Sequence, residues 1–181
     1  MKKAKSLQRI EAAFFELGRT MTADEISVQK LTETAGVARS TFYTYFEDKD
    51  DLTHRMENEI LRPMEEIIKG IKNGNGRERF VRLLEYTRDH AGEILLLRYA
   101  KDSTLLKKLT ELLNRELNRQ QRQHHFACSE YQRFFLISAL ESVMVPTPLC
   151  PESTAEEMAE QIHKHFLHVL YPGGDAEIRQ A

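Results

Sequence analysis

No apolar run in this 181-residue chain approaches the length of about eighteen residues that a membrane-spanning helix requires, so no membrane span is expected. Cysteine is equally scarce. Cys128 and Cys150 lie far apart without a CxxC pairing, which leaves neither a disulfide framework nor a cysteine zinc site and suits a reducing cytosol. Both are expected as buried, inert thiols. No Ser-His-Asp order, phosphate-cradling Gly loop or pair of catalytic carboxylates stands out, so nothing in the chain favours an enzyme. Histidines number seven, and Glu160-Gln161-Ile162-His163 reads as Glu-x-x-His, with His165 and His168 following. A carboxylate-bridged di-metal bundle needs a second such motif, and there is none, so neither metal nor cofactor is expected. The basic start, MKKAKSLQRI, leads into no apolar signal core. Leu7, Ile10, Phe14 and Leu17 fall instead on one helical face, and the expected location is the cytoplasm.

The hydrophobic content of 41% with 30% charged residues describes an ordinary globular chain, long enough for one or two domains. The net charge of −2 is unevenly spread. Residues 1–46 carry seven basic against five acidic side chains, a surplus of +2, and the remainder is −4. A slightly basic head on an acidic body fits a protein that meets a polyanion at one end. Lys2, Lys3, Lys5 and Arg9 read either as an arm along a phosphate backbone or as a solvated terminus.

The stretch ISVQKLTETAGVARSTFYTYFEDKDDL, from Ile26 to Leu52, spells two short helices joined by a Gly-containing turn. Ser27 can cap a helix over Val28–Ala35, whose Val28, Leu31 and Ala35 share a face. Gly36 permits the left-handed conformation that ends a helix tightly, and Val37 can sit as a wedge between the helices. In the second helix Phe42 and Phe46 fall on one face and should be core, leaving Arg39, Thr41, Tyr43, Thr44 and Tyr45 elsewhere. Hydroxyl groups donate to phosphate oxygens and an arginine can bond bidentately to a guanine edge, so that surface suits duplex DNA.

The order of these residues resembles the DNA-binding domain of the TetR family of transcriptional regulators. An Ala-Gly-Val turn is followed by Thr-Phe-Tyr-x-x-Phe and a lysine, here Ala35, Gly36, Val37, Thr41, Phe42, Tyr43, Phe46 and Lys49. The resemblance implies that Arg39, Ser40 and Thr44 face base edges, with Tyr45 a further contact. It implies that Thr41, Tyr43 and Lys49 hold phosphates and that Gln29 reaches the groove flank. It covers about the first third of the chain and is architectural beyond that.

Helices are expected almost everywhere and strands nowhere: Ser6 to Gly18, a turn over Thr22 to Glu25, the two reader helices, and a fourth from near Asp48. Leu52, Met56 and Ile60 give the fourth its apolar stripe, and Pro63 should kink or break it. Gly70, Gly74 and Gly76 mark a loop and a plausible hinge. Further helices are expected over Arg77–His90, Glu93–Ala100, Ser103–His124, Ser129–Val145 and Thr154–Leu170. The last begins with a capping box of Ser153 and Glu156 after the Pro146, Pro148 and Pro151 stretch. Leu105, Leu106, Leu109, Leu112, Leu113 and Leu117 form one stripe, and Phe134, Ile137, Ala139, Leu140 and Val143 are apolar in the helix that follows it.

The expectation is therefore an all-α chain, with a three-helix helix-turn-helix domain over residues 1–47 and a helical regulatory bundle over 48–181. By the family resemblance the two final helices, about 129–145 and 154–170, pair with a second copy to form a homodimer. The alternative is that both helices are buried within one chain. The middle of the chain would receive a small-molecule effector, with Tyr86, His90, Arg98, Tyr99 and Glu141 as the candidate polar groups. A ligand-responsive repressor on a palindromic operator is the leading reading. An activator of the same fold, or a helical bundle enzyme or interaction protein that does not use its head on DNA, is the alternative.

Overall fold

A computed structural model of the chain describes residues 2–69, 76–124 and 129–144, together with Glu157 and Glu160. Every regular element among them is helical: α1 (Lys2–Leu17), a 3-10 turn (Ala23–Glu25), α2 (Val28–Ala35), α3 (Arg39–Phe42), α4 (Lys49–Lys69), α5 (Gly76–Asp89), α6 (Ala91–Arg98), α7 (Leu105–His124) and α8 (Glu130–Met144). The all-α expectation holds. The loop around Gly70 and Gly74, both cysteines, the capping box at Ser153 and the helix expected at 154–170 lie outside the described residues, apart from two helical positions, Glu157 and Glu160.

The chain divides into two compact units, one of Met1–Leu61 with His90–Leu106 and one of Arg62–Asp89 with Lys107–Ala181. In the first, α1 packs on α2 and α3, and α2 on α3. Ile10 and Phe14 from α1, Ile26, Leu31 from α2, Phe42, and Leu52 and Met56 from α4 are almost wholly removed from water. Each such large side chain stabilises the fold by about 1.5–3 kcal/mol through apolar burial, which is why a four-residue α3 with little intrinsic stability holds its place. The helix expected to begin at Ser6 begins at Lys2, so the N-terminal lysines belong to α1 rather than to a free arm.

The same unit carries a buried charge. Glu57 on α4 is fully enclosed, and its carboxylate accepts from the Thr104 N–H at 2.7 Å, the Thr104 hydroxyl at 2.5 Å and the Ser103 hydroxyl at 3.0 Å. These donors stand immediately ahead of α7, where the helix dipole also favours a negative charge. The connection ahead of α7 is stitched on further by the Lys101 N–H donating to Asp24 Oδ1 at 3.1 Å, and by His54 Nε2 lying 3.2 Å from the Asp102 carbonyl. Across α1 and α4, Arg55 donates to Glu11 at 2.9 Å.

In the second unit Phe80, Leu83 and Leu84 of α5 are buried, as are Leu109, Leu112, Leu113 and Leu117 of α7 and Ile137 of α8. The leucine stripe of α7 is thus core, with one exception: Leu106 is over a third exposed. Arg133 on α8 donates to Asn118 Oδ1 at 2.7 Å and to Gln121 Oε1, and the Thr110 hydroxyl donates to Glu141, tying α7 to α8. The Glu65 carboxyl is held below the ordinary carboxylate range, first by its hydrogen bond from Lys69 and then by Arg115.

One expectation is narrowed by the structure. Pro63, expected to kink or break α4, does not break it: the helix runs on to Lys69. A proline removes one N–H donor, and the buried residues on both sides of it, Ile60, Leu61, Met64 and Ile68, keep the helix in register across the missing bond. On α8 the apolar Phe134 is 71% exposed, with Tyr131, one turn earlier, at 80%.

Candidate nucleic-acid interface

The reader is built from the turn outward. Ser27 caps α2 by accepting the Lys30 N–H on its hydroxyl at 3.2 Å, as its sequence position requires. Gly36 ends α2 at φ 62°, ψ 41°, in the left-handed region, with its N–H on the Glu33 carbonyl and the Val37 N–H on the Thr32 carbonyl. The chain turns there and enters α3 at Arg39. After Phe42 the helix tightens: Thr44 and Tyr45 donate to carbonyls three residues back, while the Phe46 N–H still reaches Phe42 at 3.1 Å. Phe42 and Phe46, with ring centroids 5.2 Å apart, are buried beneath this turn. They aim the opposite side of the element at solvent.

That outer side carries most of the expected contacts. Arg39, Ser40, Tyr43 and Thr44 are exposed, and Thr41 and Tyr45 are partly buried at its margin. Arg39 lies over the Tyr43 ring, 5.7 Å from its centroid, and donates from Nη2 to the Tyr43 hydroxyl at 3.2 Å. Thr44 gives its hydroxyl proton to the Ser40 carbonyl at 3.0 Å, which leaves its oxygen outward as an acceptor. Gln29, on α2, is exposed and its amide nitrogen donates to Glu33 Oε1 at 2.9 Å. Lys49 is partly buried. Its ammonium donates to the Ala23 and Asp24 carbonyls at 3.1 and 3.0 Å, closing the end of the 3-10 turn, and one of its three protons is left over. The start of that turn is held by Glu25, which accepts from the Thr22 N–H and hydroxyl, and these bonds lower its pKa from the ordinary carboxylate value.

The Arg39–Tyr43 pair is legible in the sequence as an i, i+4 spacing. The Lys49 clamp was not legible, because its partners are carbonyls about 25 residues away. Of the five residues expected around an effector, His90, Arg98 and Tyr99 belong to the first unit and Tyr86 and Glu141 to the second. Arg98 stacks on Tyr99, which is 73% exposed, and Glu141 is engaged by Thr110.

Residues 23–56, which span the 3-10 turn, α2, α3 and the first turns of α4, match the family described as bacterial regulatory proteins, tetR family. The reader head belongs to the TetR family. Its helix-turn-helix is a DNA-binding domain of transcription regulation, and the exposed polar face over a buried phenylalanine pair suits that role. A likeness of fold extends past the head: the solved structure of the dihydroxyacetone kinase operon activator DhaS superposes with a TM-score of 0.59 over 88% of this chain and 92% of that one. Sequence identity is 20%, so the likeness is one of fold. No curated protein sequence is significantly similar to the chain. Among the described residues no helix is long and apolar enough to cross a membrane, and no group of histidine, cysteine and acidic side chains is placed to hold a metal ion.

Proposed function

We propose that the chain is an effector-responsive TetR-type repressor that binds a palindromic operator as a homodimer, and that its role is regulatory rather than catalytic. The reading rests above all on the reader turn, where buried Phe42 and Phe46 direct Arg39, Ser40, Thr44 and Tyr43 outward as a continuous polar face. Arg39, Ser40 and Thr44 address base edges in the major groove, with Tyr45 at the margin. Thr41, Tyr43 and the remaining Lys49 proton take phosphate oxygens, and Gln29 reaches the groove flank.

The functional division is a reader over 1–47 and a regulatory part over 48–181. Dimerisation uses α8 and the segment 154–170. The exposure of Tyr131 and Phe134 on α8 supports this, since a contiguous aromatic face on a helix is characteristic of an interface. Two-fold symmetry then requires half-sites about one DNA turn apart, or a multiple of it. A small molecule oriented by any of the candidate groups Tyr86, His90, Arg98, Tyr99 and Glu141 shifts α4, which begins at Lys49 directly behind the reader, and so uncouples the two heads from the groove spacing. The site of action is the cytoplasm, where the DNA is.

Repression is one sign of regulation and activation is the other, and DhaS, which shares the fold, is an operon activator. Selection of random duplexes on the purified protein, with its mass measured by sedimentation, tests the first claim. A dimer that enriches a palindrome supports it, and a monomer that enriches a single asymmetric half-site overturns it. A reporter placed behind the enriched sequence then gives the sign.

A further inference from the structure

Resting on the reading of the head as a DNA reader, we propose that Tyr43 is a positioning residue for Arg39 and couples a phosphate contact to the reading of a guanine. Arginine is a long side chain that on an exposed surface samples many rotamers, and a base contact made by a free arginine must restrict all of them on binding. Here Arg39 is not free. Its guanidinium lies 5.7 Å from the centroid of the Tyr43 ring and donates to the phenol oxygen at 3.2 Å, so one aromatic residue supplies both a face and an acceptor.

The arrangement is built in, because Tyr43 stands one turn beyond Arg39 on the same side, and its ring is in turn braced edge-on against the buried Phe42, 5.4 Å away and perpendicular to it. The hydroxyl accepts from Arg39 and so keeps its own proton to donate. The acceptor that fits this proton is a phosphate oxygen at the groove edge. Four of the five guanidinium N–H donors remain for the base edge, and the O6 and N7 acceptors of guanine match that fork. A phosphate held by Tyr43 thereby sets the register at which Arg39 meets a guanine, and a duplex out of register satisfies neither.

The measurement is the affinity of wild type, Arg39→Ala, Tyr43→Phe and the double variant for the enriched duplex and for duplexes changed at each base pair in turn. Both side chains are at the surface, and a thermal melt confirms that each variant folds. Wild type should lose on the order of tenfold or more in affinity when one particular guanine is replaced. Arg39→Ala should abolish discrimination at that base pair. Tyr43→Phe should weaken all duplexes and also remove most of the discrimination at the same base pair, and should add nothing there in the Arg39→Ala background. Tyr43→Phe that weakens every duplex equally while leaving that guanine as strongly preferred overturns the proposal, because the hydroxyl then serves the phosphate alone. Wild-type protein that enriches no sequence overturns the underlying reading of the head, and the proposal with it.

Discussion

Glu57 offers the sharpest test of how the first unit is held together. A carboxylate without solvent access is tolerated only where donors replace its water, and here they stand at the start of α7, the N–H and hydroxyl of Thr104 and the hydroxyl of Ser103. A hydrogen bond to a charged group contributes about 1.5–3 kcal/mol, and a buried donor left without a partner costs about 1–3 kcal/mol. Glu57→Ala strands these donors and opens a void, so the expected loss of stability is about 3–5 kcal/mol. For a chain of this size that lowers the midpoint by about 2–4 °C per kcal/mol, or about 6–20 °C in all. Glu57→Gln is isosteric. Its carbonyl can still accept from the Thr104 N–H and the Ser103 hydroxyl, and the Thr104 hydroxyl can turn to accept from the new amide, so about 1–2 kcal/mol should be lost. Urea unfolding followed by circular dichroism, at one fixed protein concentration, measures both variants. A loss below about 1 kcal/mol for Glu57→Ala would refute the reasoning, since no buried carboxylate with these partners is removed so cheaply. Equal losses for Gln and Ala would show that the charge, and not the set of donors, is what matters.

Four further outcomes are expected. Gly36→Ala meets no steric neighbour, yet its φ of 62° should cost about 1–2 kcal/mol in a melt, and an unchanged midpoint would mean that the turn relaxes. Lys49→Ala should weaken binding to all duplexes and lower the salt slope by about one if the ammonium also meets a phosphate, whereas an unchanged slope would assign it to the Ala23 and Asp24 carbonyls alone. Glu25 has a folded-state pKa below its unfolded value, so its contribution to stability is present above the unfolded value and fades as pH falls through the folded one. The stability difference between wild type and Glu25→Gln should therefore be present near neutrality and vanish in acid, and a pH-independent difference would contradict this. Phe134→Asp leaves the described core untouched and should shift the protein toward monomer in sedimentation, with loss of operator affinity. A dimer of wild-type strength would remove α8 from the interface.

By itself the sequence determined the elements whose causes are local. Ser27, Gly36 and the Phe42–Phe46 spacing specify a cap, a left-handed stop and a buried face within a few residues of chain, and α2 was legible to the residue. The order Ala35-Gly36-Val37 with Thr41-Phe42-Tyr43 carried the family, because a reader turn demands small, flexible and aromatic residues at set intervals. Tertiary structure decided what depends on distant partners. Pro63 looked like a breaker, but the helix survives because buried residues flank it on either side. Phe134 and Ile137 are alike apolar in the sequence, and only the fold decides that Ile137 is buried while Phe134 faces outward. Glu57 was silent in the sequence, one more charged residue on an amphipathic helix, until Ser103 and Thr104, 46 and 47 positions later, came to lie against it. Local geometry is written in spacing, whereas the pairing of a buried charge with its donors exists only once the chain has folded.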